Sequence, residues 1–427
     1  MRKMRDSGIA WIGVIPQDWE IVRTKSLYCS AKEIAGDRAD DFERLALTLN
    51  GVIKRSKEDS VGLQPEKFSG YQILKKGELV FKLIDLENVA TSRVGLSPYT
   101  GIVSPAYIVL SKQSRAKDLV VRYSMYHFLS MWQREIFNQM GDNGVRSSLN
   151  AKELLNIPHP FPSIYEQKRI VTFLDAQCAE IDAVLEKTHA SIEEYKKLKQ
   201  AIITQAVTKG IRGDRPMKDS GIEWIGDIPA EWNKDKVIRV FSVIGSGTTP
   251  KSSDENLFDG NTPWIQSGDI NGENLFVTKN CVSNSAIESY SALRVYQAPY
   301  LVVAMYGASV GNLSLSMIDA CVNQACCVLK KPTINLKFAF YIFKAVKDYL
   351  ARKAVGGGQP NISQETIKQL WLTIPSADEQ IEISNYLDEK CRSVDALIAK
   401  KQQYLTEIEN YKKSLIYEYV TGKKEVV

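Results

Sequence analysis

From Glu166 to Thr208 the seam positions fall alternately three and four residues apart: Leu174, Cys178, Ile181, Leu185, Thr188, Ile192, Tyr195, Lys199, Ile202 and Ala206. That alternation predicts a helix with one narrow apolar seam. The pattern returns at the end of the chain as Leu387, Cys391, Val394, Ile398, Lys401, Leu405, Ile408, Lys412, Leu415 and Tyr419. Both stretches open on Glu-Gln and close on Val-Thr, 213 residues apart, with 14 of 43 positions identical and no gap. This is an internal duplication, and a repeat of this kind decides how the rest of the chain is read. Lys199 and Lys412 interrupt the two seams at the same place. A polar residue in a seam fixes register at some cost in stability. Two seams of this kind can cover each other, and in duplicated halves with two-fold symmetry they run antiparallel. The pairing residues are then Leu174, Ile181, Leu185, Ile192 and Tyr195 with Leu387, Val394, Ile398, Leu405 and Ile408. Each helix would be about 65 Å long at ~1.5 Å per residue.

The same offset relates residues 4–19 to residues 217–232, which share Asp-Ser-Gly-Ile, Trp-Ile-Gly and Ile-Pro at matching positions. The chain is therefore one unit repeated head to tail. Trp11, Trp19, Trp224 and Trp232 are read as anchors of this segment rather than as stacking platforms. Between segment and seam each half holds about 130 residues of mixed pattern. In the first half, Leu79–Phe81, Ile102–Val103 and Ala106–Leu110 read as strands and Leu119–Met140 as a helix. In the second, Tyr300–Met305 and Cys326–Leu329 read as strands, and a helix from about Leu336 to Ala354 stops at Gly356-Gly357-Gly358. Proline-marked turns at Pro158-His159-Pro160-Phe161-Pro162 and at Pro375 separate each domain from its long helix. Ser163 and Ser376 precede Glu166 and Glu379 by three, a capping-box spacing that predicts helix starts near Tyr165 and Asp378. The predicted fold class is α+β: two mixed α/β domains separated by two long helices that pair as an antiparallel coiled coil, with a pseudo-two-fold internal repeat. The predicted divisions are residues 1–162, 163–215, 216–375 and 376–427.

Composition adds few constraints. A net charge of +5 permits nucleic-acid binding without arguing for it. No run approaches the ~18 apolar residues of a membrane span, and no leader-like apolar core follows the N-terminal basic residues. Seven cysteines without a Cys-x-x-Cys pair are expected to be buried free thiols, Cys178 and Cys391 among them. His127, His159 and His189 show no metal-ligand spacing and are expected as surface or helix residues. No phosphate-binding Gly-x-x-x-x-Gly-Lys-Ser/Thr loop, no Asp/Asn-Pro-Pro-Tyr run of the amino-methyltransferases and no nuclease-like carboxylate–lysine cluster is present. These absences point toward recognition or scaffolding. Between Glu166 and Arg215 nine basic residues face eight acidic ones, which suits a solvated or protein-binding face better than a DNA-binding one. At the 213 offset the middle parts of the two domains match poorly: Gly51-Val52-Ile53-Lys54-Arg55 lies opposite Trp264-Ile265-Gln266-Ser267-Gly268.

This layout resembles the specificity (S) subunit of type I restriction-modification systems. Local stretches strengthen the resemblance: Tyr71 to Phe81 and Gly101 to Tyr107 in the first domain, and Gly247-Thr248-Thr249-Pro250, Pro263-Trp264-Ile265 with Gly268-Asp269-Ile270, and Val322-Asn323-Gln324-Ala325 in the second. The runs Pro162 to Gln167 and Pro375 to Gln380 resemble the family's Pro-x-x-x-Glu-Gln helix opening. The likeness covers almost the whole chain. It implies two target recognition domains, each reading one half of a bipartite double-stranded DNA site. The helices would set the spacing and dock two methyltransferase (M) subunits. Motor-nuclease (R) subunits would join for cleavage. The resemblance also implies no catalysis in this chain, S-adenosylmethionine only on the M subunits, no metal and a cytoplasmic location. The first domain carries 19 basic and 15 acidic residues between Glu20 and Arg146, the second 13 and 9 between Asn233 and Ser363. Candidate DNA-binding residues, chosen from polar loops between strand runs, are Lys54, Arg55, Lys57, Lys82 and Arg93, and Thr248, Thr249, Lys251, Gln266, Ser267, Tyr306 and Ser309. Arg146 and Gln359, equivalent at the 213 offset, read as structural. The alternative from another class is a coiled-coil protein-interaction scaffold without DNA readout.

Overall fold

The computed structural model of the chain describes residues 2–59, 67–84, 86, 93–140, 148–355 and 360–426. Gly356–Gly358, Arg146 and Gln359 lie outside them. Each half begins with a small antiparallel hairpin, Met4–Asp6 with Val14–Pro16 and Met217–Asp219 with Asp227–Pro229, in the same register. The shared Asp-Ser-Gly-Ile run accounts for the turn. The Asp6 and Asp219 carboxylates accept from the amides of Gly8 and Gly221 at 3.0 and 2.8 Å. Those glycines sit at φ +69° and +67°, where a Cβ would be strained.

Four longer helices follow: α1 (Val121–Gln133), α2 (Ile164–Lys209), α3 (Leu336–Lys353) and α4 (Ala377–Val420). By packing, the chain divides into two compact units, Met1–Thr188 with Gln403–Val427, and His189–Gln402. Each unit thus takes one globular segment and part of both long helices, which is a different grouping from the four divisions along the sequence.

The first unit carries two four-stranded sheets. One has the order Gly51–Arg55, Arg44–Thr48, Gly101–Val103, Gln72–Leu74; the other has Tyr28–Cys29, Ile108–Lys112, Leu79–Lys82, Arg93–Leu96. The second unit has a five-stranded sheet centred on Tyr300–Ala304 and Cys326–Pro332, and a three-stranded sheet centred on Thr262–Ile265. The apolar strand runs form the cores: Val302, Ala304, Cys326 and Val328 face one cluster, and Leu301, Val303, Cys327 and Leu329 face another with α3. This two-sided burial is what a continuous apolar run requires.

The long helices pack on each other within both units. In the first, Ile170, Leu174 and Cys178 of α2 bury against Leu415, Ile416 and Val420 of α4. In the second, Ile203, Ala206 and Val207 bury against Ile383, Leu387 and Cys391. The start of each helix meets the end of the other, so the pair is antiparallel. Fully burying each such Leu or Ile side chain contributes roughly 1.5–3 kcal/mol. The two seam lysines have a definite role. Lys199 bonds Asp395 at 2.6 Å and Lys412 bonds Asp182 at 2.5 Å. In both pairs the residue numbers sum to 594, so one register holds in both units. Leu174, Leu387, Ile192, Val394, Ile398 and Leu405 are buried, and Ile181, Leu185, Tyr195 and Ile408 half-buried. Toward its end the α2 seam moves from Ile202 to Ile203, the drift of a 3.6-residue helix against a 3.5-residue repeat.

Several sequence expectations need correction. The helix expected over Leu119–Met140 ends at Gln133 and a short one resumes at Ile136–Met140, because Glu135 takes a left-handed φ of 57° that interrupts the hydrogen-bond ladder. The strand expected over Ala106–Leu110 lies at Ile108–Lys112. Among the cysteines, Cys29 is exposed and Cys281 half-buried rather than buried. His127 lies on a helix as expected, whereas His159 is on a strand and not at the surface. Both are buried, with ring centroids 4.5 Å apart, because α1 presses its inner face onto the Pro158–Phe161 strand.

Candidate nucleic-acid interfaces

Each globular segment is held to the long helices by a polar cluster that the sequence did not announce. In the first unit the Arg2 guanidinium bonds Glu166 at its closest point and Asp18 at 2.7 Å, while Trp19 Nε1 donates to Glu166 Oε2 at 2.8 Å. In the second unit Arg215 bonds Glu379 at 2.7 Å and Glu231 at 3.0 Å, and Trp232 Nε1 donates to Glu379 Oε2 at 2.9 Å. All four positions repeat at the 213 offset. The neighbouring glutamines do matching work. Gln167 Oε1 accepts from the Val120 amide and Gln380 Oε1 from the Asn335 amide, at the openings of α1 and α3. Their Nε2 groups donate to the Pro162 and Pro375 carbonyls, both at 2.9 Å. The Glu-Gln pair at each helix opening is therefore a two-pronged clamp: Glu fixes the N-terminal hairpin and Gln fixes the domain helix.

About two turns further along, Asp175 takes Tyr126 Oη and Arg122, and Asp388 takes Tyr341 Oη and Lys337. Here the offset between domain helices is 215, although the long helices keep 213. With these carboxylates fixed, the loops at the far side of each segment are displayed by rigid elements, which a recognition surface requires.

In the first unit Lys54, Arg55 and Lys57 lie together on one open groove of about 580 Å³ formed by residues 40–44 and 54–58. The groove follows from the hairpin register, which sets Arg44 opposite Arg55 and Leu45 opposite Lys54. Lys54 pairs with Glu43 at 2.5 Å and lies over the Tyr99 ring at 5.2 Å; the Glu43 bond raises its pKa. Arg55 pairs with Asp59 at 2.6 Å, and Lys57 donates to the Ala39 carbonyl at 2.9 Å. A DNA phosphate would have to displace the carboxylates, an exchange suited to the exposed Lys54–Glu43 pair more than to the half-buried Arg55–Asp59 pair. Lys82 and Arg93 sit opposite each other on adjacent strands of the other sheet. Burial raises the Tyr107 pKa, and the guanidiniums of Arg93, Arg44 and Arg55 oppose the shift, which places all three arginines in electrostatic reach of one hydroxyl. Arg44 was missed by sequence reasoning. It is buried and stacks over Phe68 at 5.6 Å, and nothing in its local pattern marks it out.

In the second unit the candidates converge on the turn at Asn323-Gln324. Thr249 Oγ1 donates to Gln324 Oε1 at 2.6 Å. The Asn323 amide and carbonyl tie that turn to Ile265 and Gly247. The approach is close: a Cβ on Gly247 would fall 1.7 Å from the Val322 carbonyl oxygen. Gln266 Oε1 accepts from Asn280 Nδ2 at 2.8 Å, with Ser267 beside it. Tyr306 and Ser309 belong to the next loop, joined to the turn through the Met305 amide and Ala325 carbonyl, and Ser309 Oγ donates to the Tyr306 carbonyl at 3.0 Å. Lys251 is exposed and its amide donates to Tyr290 Oη, whereas Thr248 is half-buried. Asn280 and Gln324 were not among the sequence candidates. Gln324 lay within a stretch already singled out, and that was the available signal.

Among the described residues no group of three or more His, Cys, Asp or Glu could hold a metal ion, and no helix is long and apolar enough to cross a membrane. Burial depresses the pKa of His159 to about 4 and that of His127 well below 6.5, with His159 adding to the second shift. His159 Nδ1 lies 2.7 Å from the Pro160 carbonyl and Nε2 2.9 Å from Ser124 Oγ. Both are neutral core imidazoles: His159 has both ring nitrogens engaged, whereas His127 Nε2 is buried without a hydrogen-bond partner.

The arrangement is that of a duplicated frame with two unlike polar faces, and comparison with known proteins finds related chains. The family model for the type I restriction modification DNA specificity domain matches residues 229–410. The type I restriction enzyme MjaVIII specificity subunit of Methanocaldococcus jannaschii is 23% identical over 427 residues, covering 96% of this chain and 94% of that protein. The MjaIX specificity subunit of the same organism is 25% identical over 169 residues, 38% of either chain. A solved chain described under "Structural basis underlying complex assembly and conformational transition of the type I R-M system" has the same fold, with TM-score 0.71 and 15% identity over 96% of this chain and 99% of that one. The matched region is the second copy, and the 213-residue repeat carries its frame into the first. The second half of the chain is thus similar to the type I restriction modification DNA specificity domain, and the chain as a whole is similar to type I restriction enzyme specificity subunits.

Proposed function

We propose that this chain is the DNA-recognition subunit of a type I restriction-modification complex, each globular segment reading one half of a bipartite duplex site. The observation that carries the proposal is the contrast between frame and face. The clamps at Glu166 and Glu379 repeat residue for residue, while the faces they display are an arginine-lined hairpin in one unit and an amide- and hydroxyl-lined turn in the other. A protein that only joined partners would have no need of two unlike polar faces on one frame. Arginine suits phosphates and guanine edges, and amides suit adenine edges, so the faces suit different bases. In this reading the long helices set the spacing between half-sites and dock two methyltransferase subunits that carry S-adenosylmethionine. Motor-nuclease subunits join for cleavage, and this chain does no chemistry itself. The segments at residues 1–162 and 216–375 are then the recognition domains, and those at 163–215 and 376–427 the spacers.

The test is methylation mapping of genomic DNA from cells expressing the cognate methyltransferase with and without this chain. A bipartite adenine motif that depends on the chain is the expected result. Methylation that is independent of it, or a motif with a single undivided half, would overturn the reading.

A further inference from the structure

Beside α3 the second unit holds a cleft of about 380 Å³ whose walls carry Lys196, Lys199, Lys344 and Lys347 together with the carboxylates of Glu273 and Asp395, so that four cations outnumber two anions, with the Asn271–Gly272 loop closing one side. Lys196 and Lys199 are engaged by Glu193 and Asp395. Lys344 and Lys347 have no ion-pair partner among the described residues. Lys344 is half-buried against the rings of Phe340 and Tyr341, 4.5 and 5.9 Å from their centroids. Gln200 Nε2 donates to the Lys344 and Ala345 carbonyls, which fixes α2 against α3 at this wall.

We infer that this cleft seats a backbone phosphate of duplex DNA, so that the second unit grips the duplex beside the half-site it reads. The inference rests on the proposed DNA-recognition role. Three observations carry it. The cleft is contiguous with the reading loops: Asn271 lies four residues past Ser267, and Asn312 three past Ser309. Those loops are tied to each other at the cleft mouth, where the Asn271 amide donates to Ser314 Oγ at 3.2 Å. Finally, the feature is absent from the frame. At the 215 offset of the domain helices, Lys344 and Lys347 correspond to Leu129 and Trp132 in the first unit, and at the 213 offset Lys196 corresponds to Glu409. A docking surface for a partner that engages both halves alike would repeat; this one does not. Burial and the neighbouring Lys199 lower the Lys344 pKa, and an anion in the cleft would relieve that repulsion. Phosphate contacts of this kind position a protein on the duplex without reading its sequence.

The experiment uses the chain assembled with its methyltransferase subunits, and cognate and non-cognate duplexes of equal length as probes. Lys347→Gln, Lys344→Gln and Lys344→Arg are compared with wild type by equilibrium binding across a salt series, by methylation mapping and by co-purification of the methyltransferase. Each Gln substitution should weaken binding to both duplexes roughly three- to tenfold and reduce the salt slope by about one. The methylated sequence should stay unchanged, and Lys344→Arg should retain the wild-type slope. Lys347 is exposed, so its variant reads the site without risk to folding. Unchanged affinity and slope would overturn the inference, as would an altered target sequence. Loss of methyltransferase association with intact DNA binding would assign the cleft to a protein partner instead. A wild-type complex that methylates without sequence preference would remove the proposed function itself, whatever the lysine variants do.

Discussion

The two units solve one mechanical problem identically and one chemical problem differently. Both anchor their hairpin with an arginine, a tryptophan and a helix-opening glutamate. Both satisfy an aspartate about two turns on with a tyrosine and a cation from the domain helix. Yet the first unit buries two histidines and the second buries none, and the second lines with lysines a wall that the first makes of Leu129 and Trp132. The difference separates what positions a reader from what reads. The former depends on carboxylates at fixed places on the long helices, Glu166, Glu379, Asp175 and Asp388, and keeps charge type even where the residue changes from Asp18 to Glu231 or Arg122 to Lys337; the latter lies on hairpins and loops that differ between the units.

The comparison is broken most forcefully at the clamps. The Glu379 side chain is 3% exposed and that of Glu166 21%. Glu379→Ala leaves Arg215 only the exposed Glu231 as a carboxylate partner and strips Trp232 Nε1 of its acceptor, and should cost about 3–5 kcal/mol, whereas Glu166→Ala should cost about 1–3 kcal/mol because its partner is better hydrated. Urea unfolding of both variants measures this; equal losses would show that the burial difference is irrelevant.

Acid should separate the units next. The imidazole of His159 titrates near 6.5 when unfolded and about 4 when folded. Between those values the unfolded chain binds a proton that the folded chain refuses. The stability present above pH 6.5 is therefore lost as pH falls toward 4, by up to about 3 kcal/mol at ~1.4 kcal/mol per pH unit. Amide exchange at pH 7 and pH 5 should show protection falling around α1 while α3 holds. A uniform fall across both units would contradict the assignment.

The faces give a smaller effect. Arg55→Gln and Gln266→Ala should each relax or weaken methylation at one half-site, by about 1–3 kcal/mol if the residue reads a base. Mapped motifs that lose both halves equally would count against separate readers. The smallest effect belongs to the helix register: Lys199→Ala should cost below about 1 kcal/mol, since its partner Asp395 is half exposed. The charge reversal Lys199→Asp with Asp395→Lys should recover that loss. Failure of the reversal to do so in calorimetry would mean that the pair does not set register.

Much of the frame was legible from the chain because it is periodic. A three-four seam and a fixed offset are local or repeating signals, and both survive loop divergence. The clamps were not legible, since Arg2 and Glu166 lie 164 residues apart and no pattern links them until the fold does. The same holds for Arg44, whose burial over Phe68 is a tertiary event. His127 and His159 read as ordinary polar residues because their environment comes from α1 folding onto a distant strand. Of the face candidates, Lys54, Arg55, Lys82 and Arg93 were expected in loops but lie in strands, because charged residues at sheet edges and strand ends look like loop polarity along the chain; Asn280 was passed over because a lone asparagine at a strand start carries no such mark.

The shared sum of 594 has a consequence for how such a gene can change length. Each lysine–aspartate pair joins one copy of the long helix to the other, so residues gained in one copy between its aspartate and its lysine put the two pairs out of step. Only a matched gain in the second copy restores both. The globular segments carry no such obligation: their offset slips from 213 to 215 at the domain helix and returns to 213 before Glu379. Insertions and deletions in the helices are therefore inherited usefully only in pairs, while those in the segments can be kept singly. Lineages of this architecture should record the two kinds of event at very different rates.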